Sequence, residues 1–193
     1  MQTIAPDILD GEMKAQLAQF LSRAELFMAR MEASLPRSMD QPAWDASIAF
    51  RYRKRSSGQC YLAPVRHIGA IALDDLKEID IQKEKIERNT AQFVNNRPAN
   101  NVLLTGARGT GKSSLIRACL HAFSSQGLRL IEVDKSDLVD LPDIVDLVAE
   151  RPEKFIVFCD DLSFDDGEPG YKALKSVLDG SVSASTANVL VYA

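Results

Sequence analysis

Residues 106–113 read Gly106-Ala107-Arg108-Gly109-Thr110-Gly111-Lys112-Ser113 and fill the pattern G-x-x-x-x-G-K-[ST] without a mismatch. Glycines let a backbone curl so that consecutive N–H groups converge on one anion. In this pattern the lysine, here Lys112, carries positive charge toward the terminal phosphates of a nucleotide, and the hydroxyl of Ser113 suits magnesium. Ser114 extends the candidate binding loop into the next element. The flanks decide whether the motif is more than a glycine-rich turn. Asn101-Val102-Leu103-Leu104-Thr105 is a short apolar run that predicts a buried strand. Ser114 to Phe123 carries Leu115, Ile116, Ala118, Cys119, Leu120, Ala122 and Phe123, which predicts a buried helix. Strand, loop and helix in that order form the context a phosphate-binding loop needs.

A second element lies downstream. Phe155-Ile156-Val157-Phe158-Cys159 is an unbroken apolar run, followed by Asp160-Asp161. Such a run fits a central parallel strand covered on both faces. Carboxylates past the C-terminal end of that strand stand where open α/β sheets bind ligands. Asp160 is the candidate magnesium ligand together with Ser113. Asp161 is the candidate for orienting or deprotonating an attacking water. Lys112 and Asp161 are thus the expected catalytic pair. The competing reading is a strand followed by a polar turn.

Composition sets bounds. The chain has 193 residues, long enough for one real core with an added helical segment. Hydrophobic content of 46% and charged content of 26% are those of an ordinary soluble domain. The net charge of −4 argues against a general nucleic-acid binder. Charge is uneven: residues 1–66 hold 9 Lys/Arg against 7 Asp/Glu, and the remainder 14 against 20. Cys60, Cys119 and Cys159 are far apart, and the last two fall in apolar elements, so they read as core residues. With His67 and His121 as the only histidines, a zinc site is not expected. No run approaches a membrane span and no leader pattern opens the chain, so a cytoplasmic protein is expected.

The rest of the chain organises around the loop. Residues 7–35 read as one helix, with Leu9, Met13, Leu17, Phe20, Leu21, Ala24, Phe27, Met28, Met31 and Leu35 at spacings of three and four. Such a stripe packs on its own chain, on another copy, or on a dedicated partner. Residues 36–66 lack clear periodicity and contain Pro36, Pro42, Gly58 and Pro64, which mark a linker or irregular segment. Within it, Arg51-Tyr52-Arg53-Lys54-Arg55 could touch nucleic acid or an acidic lipid surface; the reading favoured here is a solvated basic stretch or a helix packing on the acidic domain. Asp80 suits the cap of a helix through Ile86, Thr90, Phe93 and Val94. Leu128 to Val133 predicts a strand. Pro142 opens a helix with Ile144, Val145, Leu147 and Val148. Tyr171 to Asp179 predicts a helix with Ala173, Leu174, Val177 and Leu178 inward and Gly180 as its stop. Val189-Leu190-Val191-Tyr192 begins a fourth strand. Alternating strands and helices predict an α/β fold with a parallel sheet.

Together these stretches resemble the AAA+ ATPases, and most closely a bacterial AAA+ family of uncharacterised function. The resemblance rests on Pro98 to Leu104 running into Gly106–Ser114, on Phe155 to Phe164, and on Tyr171 to Leu178. It covers roughly residues 66–193, taken as the N-terminal part of the ATPase core; residues 1–65 are taken as a helical extension and linker. It implies a phosphate-loop parallel sheet with flanking helices, ATP and Mg2+ as ligands, and Ile79 against the adenine. It also implies hydrolysis and ring assembly in complete members. Three departures stand out. Asp160-Asp161 replaces the usual Asp-Glu. Glu78 stands where many relatives carry glycine before the Ile-Asp pair. The chain stops at Ala193, before the sensor, arginine finger and lid of such proteins. The expectation is therefore an ATP-binding chain with little hydrolysis of its own. The rivals are a GTPase, a phosphate-loop kinase of small molecules, and a non-catalytic scaffold acting through residues 7–35 and 51–55. A partner protein is left unidentified by the sequence.

Overall fold

The computed structural model describes residues 11–34, 39–162, 169–178 and 186–193. The chain divides into two compact units, Met1–Ser38 and Met39–Ala193. In the first, helix α1 spans Gly11–Ser34. Its apolar stripe lies in solvent, with Phe20 68% and Phe27 63% exposed. Leu9 and Leu35, expected in the same stripe, lie outside the described residues, as do Ser163, Phe164, Asp179 and Gly180.

The second unit is an α/β layer structure. Strands β1 (Ala49–Lys54), β2 (Cys60–Pro64), β3 (Leu128–Glu132), β4 (Lys154–Phe158) and β5 (Val189–Tyr192) form one sheet in the order β2-β1-β3-β4-β5. All neighbours are parallel except the β1–β2 hairpin. Helices α2 (Asp80–Val94), α3 (Lys112–Phe123), α4 (Leu141–Val148) and α5 (Pro169–Leu178) flank it.

Strand β4 explains the layering. Phe155, Ile156, Val157 and Phe158 are all buried because β3 and β5 hydrogen-bond to both its edges and helices cover both its faces. Successive side chains leave opposite faces of a strand. Phe155 and Val157 enter one core with Ile144, Val145 and Val148 of α4 and Leu174 and Val177 of α5. Ile156 and Phe158 enter the other, with Ile86 and Phe93 of α2 and Leu115, Ile116 and Leu120 of α3. Trp44 closes the first core, edge-on to Phe50 and Phe155 at ring-centre distances of 5.0 and 5.1 Å.

Three expectations need correction. The linker reading fails for residues 49–64, which form the hairpin. Phe50, Tyr52 and Leu62 point into the core while Arg53, Lys54 and Arg55 stay outside. Gly58, at φ 79, makes the turn between the strands. The compact unit therefore takes in a hairpin that the sequence reading put outside it. Residues 101–105 do not form a buried strand. Val102 makes an isolated parallel bridge to Tyr192, and Leu103 is 67% exposed. The segment pairs with β5 along one side, through Val102 N–H to Val191 O at 2.9 Å and Leu104 N–H to Ala193 O at 2.6 Å. A segment paired on one edge alternates between covered and open positions, and only Val102 and Leu104 reach the core. Leu178 is 42% exposed, since in α5 only Leu174 and Val177 fall on the buried stripe.

Two of the four charges in the basic run 51–55 meet acidic neighbours. Arg51 Nε donates to Glu132 Oε2 at 2.7 Å. Lys54 Nζ bridges Asp140 at 2.6 Å and Asp137 at 3.2 Å. Arg55 lies over the Tyr61 ring, 4.9 Å from its centre.

All three cysteines are free thiols, with Cys119 and Cys159 buried and Cys60 half-buried. Burial pushes the Cys119 thiol up to about 12 and the Cys159 thiol up to about 11, from an ordinary 9.0. A protonated buried thiol is inert. A thiol reagent should modify Cys60 in the native protein and reach Cys119 and Cys159 only on unfolding. Tyr192 and Lys54 also hold their protons above the usual values, the first through burial and the second through Asp140. The folded chain keeps these protons where the unfolded chain releases them. Their stabilisation is full below the unfolded thiol value near 9.0 and declines as pH climbs toward the folded values. Urea midpoints should therefore fall as pH rises above 9.0.

Candidate functional site

The glycine-rich loop sits between the 101–104 segment and α3. Gly106, Gly109 and Gly111 have φ of 153, 83 and 87, backbone that side chains rarely adopt. A Cβ on Gly106 would also meet Thr110 Oγ1 at 3.3 Å. Thr110 Oγ1 in turn donates to Ala107 O at 2.9 Å, which ties the loop across its middle. Gly111 caps α3, so Lys112 and Ser113 occupy its first turn. Lys112 Nζ donates to Gly106 O and Ala107 O, both at 2.9 Å, and so spans the loop. The N-terminal N–H groups of a helix carry partial positive charge, and with an ammonium beside them they suit an anion.

Strand β4 delivers the two carboxylates to the same place. Cys159 N–H donates to Tyr192 O at 3.1 Å, which holds the end of β4 against β5. Beyond it, Ser113 Oγ donates to Asp160 Oδ2 at 2.8 Å across 47 positions of sequence. Asp161 has φ 53, a left-handed conformation that aspartate tolerates better than most residues. Its carboxylate lies 3.5 Å from Arg108 Nη2 of the loop. Both partners are exposed, so the pair orients the side chains more than it stabilises the fold.

Ile79 joins the site from the other side. A cavity of about 230 Å³ is lined by Ile79, Gln82, Leu104, Thr105, Gly106, Thr110, Gly111, Lys112 and Leu115. It opens an apolar wall beside the loop, away from Asp160. Asp80, expected as the cap of α2, is instead its first residue. Ile79 takes the cap position without a side-chain bond, and Asp80 pairs with Lys83 at 3.2 Å. The structure thus brings Ile79, Gly106–Ser113, Asp160 and Asp161 around one loop.

Sequence reasoning missed the groups that hold the approach to the loop. Asn89 of α2 donates Nδ2–H to Asn100 O at 2.8 Å and accepts from Asn100 N–H at 2.9 Å. The same Nδ2 donates to Tyr192 Oη at 3.0 Å, and Thr90 Oγ1 shares a bond of 2.9 Å with that hydroxyl. Asn101 Oδ1 accepts from Val191 N–H at 2.8 Å. The run Asn95-Asn96-Arg97-Pro98-Ala99-Asn100 reads as a turn, and nothing in it names a partner in α2 or β5. Among the described residues no group of three or more His, Cys, Asp or Glu side chains could hold a metal unaided.

Residues 45–193 match the family described as Protein of unknown function (DUF815), and the chain belongs to that family. No curated protein matches it. The matched span takes in the β1–β2 hairpin and leaves out α1.

Glu78, next to Ile79, has φ 63. A left-handed glutamate is strained, by about 1–2 kcal/mol, where glycine is not. Glycine gives back part of that gain through a freer unfolded chain, by about 0.4–1 kcal/mol. Glu78→Gly is therefore expected to raise stability by up to about 1 kcal/mol, and Glu78→Val to lower it. Urea denaturation of the two variants checks the signs; a loss in Glu78→Gly would contradict the backbone argument.

Proposed function

We propose that the chain binds ATP with magnesium through Gly106–Ser113, in a phosphate-loop sheet of the AAA+ kind. The observation that carries this reading is the bond of 2.8 Å from Ser113 Oγ to Asp160 Oδ2. It joins the hydroxyl that closes the loop motif to the carboxylate that ends β4. Those two groups are the pair that holds magnesium in phosphate-loop nucleotidases. The strand order also supports it. The 101–104 segment lies beside β5, β5 beside β4 and β4 beside β3, so one strand separates the loop from the acidic strand end.

Each residue then has a role. The N–H groups of Gly106 to Lys112 cradle the phosphates, with Ala107, Arg108, Gly109, Thr110 and Ser114 completing the loop. Lys112 moves its donors from two loop carbonyls to phosphate oxygens. Ser113 and Asp160 would hold magnesium, which would supply positive charge against the terminal phosphates; magnesium needs few protein ligands. Ile79, with Leu104 and Leu115, offers the apolar wall for a base. Asp161 is the residue that would accept a proton from a water, and Arg108 is its ion-pair partner at 3.5 Å. Ring assembly, implied for complete AAA+ proteins, and a cytoplasmic setting belong to the same proposal.

Lys112→Ala should lower the affinity for magnesium-ATP at least tenfold, about 1.4 kcal/mol or more, because the loop loses its ammonium. Far-UV circular dichroism should not change, since Lys112 bonds only to its own loop. Ser113→Ala should weaken binding in magnesium and leave binding in excess chelator unaffected. Calorimetry with ATP, and with GTP as the competing nucleotide, reads all of this. Equal ATP affinity in the parent and Lys112→Ala would overturn the assignment. Tighter GTP than ATP would replace it with the guanine-nucleotide reading.

A further inference from the structure

Helix α1 carries its apolar residues on a heptad. Met13, Phe20 and Phe27 recur every seventh position, as do Leu17, Ala24 and Met31, and the two series interleave at spacings of four and three. That is the seam of a left-handed coiled coil. The seam is open to solvent, with Met13 50%, Leu17 47%, Phe20 68%, Phe27 63% and Met31 48% exposed. A 24-residue helix reaches about 36 Å, and most of the stability of a helix in a protein comes from packing its apolar face.

We propose that α1 pairs with α1 of a second copy of this chain as a parallel, in-register, two-stranded coiled coil. This stands apart from the nucleotide reading, and it concerns the part of the chain that the family match leaves out.

Four observations favour that occupant. The first is area. The five exposed seam residues and their neighbours Leu21 and Met28 present on the order of 100 Å² each, about 700 Å² per helix, against ~800 Å² per partner in a specific interface. The second is the fit of sizes. Phe20 and Phe27 stand on either side of Ala24 and border a groove of about 530 Å³, lined also by Gln16, Gln19 and Arg23. In register, the small Ala24 layer leaves room that the four rings fill.

The third is charge, and it sets the direction. Gln16, Arg23 and Arg30 run along one side of the seam, and Lys14, Leu21 and Met28 along the other. In a parallel pair opposite sides meet, so Arg23 of one copy lies along Met28 of the other and covers it with its aliphatic stem. In an antiparallel pair like sides meet, and arginine faces arginine. The fourth concerns the remainder of the chain. The large exposed apolar residues of the unit Met39–Ala193 are Ile81, Leu103, Val139, Tyr171 and Leu178. They lie on separate elements, and among the described residues they make no stripe of the length of α1.

Sedimentation equilibrium on the full chain across a dilution series tests the pairing. The mass should be that of a dimer, and Phe20→Glu combined with Phe27→Glu should halve it while the thermal transition of the Met39–Ala193 unit stays in place. Direction is read with Leu17→Cys in a Cys60→Ser background. In register, the two introduced thiols fall within disulfide reach, and mild oxidation should link the copies. In an antiparallel pair they lie too far apart. A monomer at every concentration, a dimer indifferent to the double change, a trimer or larger body, a monomer that instead sediments with lipid vesicles, or a dimer that does not cross-link through Leu17→Cys would each overturn the proposal.

Discussion

Four consecutive buried side chains in one strand, Phe155 to Phe158, constrain everything around them. Such a strand has no face for water, so helices must cover both sides. It also has no free edge, so β3 and β5 must pair with it along its length. Parallel pairing then requires crossovers, and the chain supplies α4 on one face and α2 and α3 on the other. The carboxylates that follow β4 emerge at the C-terminal edge of the sheet. The chemistry of the site is therefore tied to the burial of a strand that contributes no polar group to it.

The loop is held by a different kind of force. Its supporting segment pairs with β5 on one side and carries an exposed Leu103, so packing alone does not fix it. A polar network does. Tyr192 is fully buried, and its hydroxyl meets Thr90 and Asn89, both on α2. Asn89 reaches on to Asn100, and Asn101 reaches back to β5. Buried polar groups that find partners specify one arrangement, because any other leaves a donor or acceptor unpaired in an apolar core. Helix and strand are thereby fixed at the buried Thr90–Tyr192 contact, and the exposed Asn89–Asn100 bonds tie the loop approach to them.

The sequence was most legible where one residue type has one physical use. Positive φ at Gly109 and Gly111, the apolar run of β4 and the burial of Ile144, Val145 and Val148 all follow from local pattern. The hairpin was missed although its alternation is visible in Phe50-Arg51-Tyr52-Arg53. The same letters spell a basic patch, and the charges drew the reading. In the fold Arg51 and Lys54 meet Glu132, Asp137 and Asp140, residues some 80 positions away that no local pattern connects to them. The Asn89 and Tyr192 network was illegible for the same reason. The 101–105 run failed in another way. An apolar run implies burial only when both its edges and both its faces are covered, and composition cannot say how many neighbours a strand will have.

The pair Asp160-Asp161 shows how one backbone angle divides two like groups. Adjacent carboxylates pointing the same way would repel and would bind a single cation between them. At Asp161 the chain turns to φ 53, and the two side chains separate. Asp161 N–H donates to Asp160 Oδ1 at 3.0 Å, which fixes Asp160 from behind while its other oxygen accepts from Ser113. Asp161 is left to face Arg108. Asp160 is bound on two sides and Asp161 on one, at the surface. Any residue longer than aspartate at 161, or one that resists the left-handed turn, would disturb that division before it touched the fold.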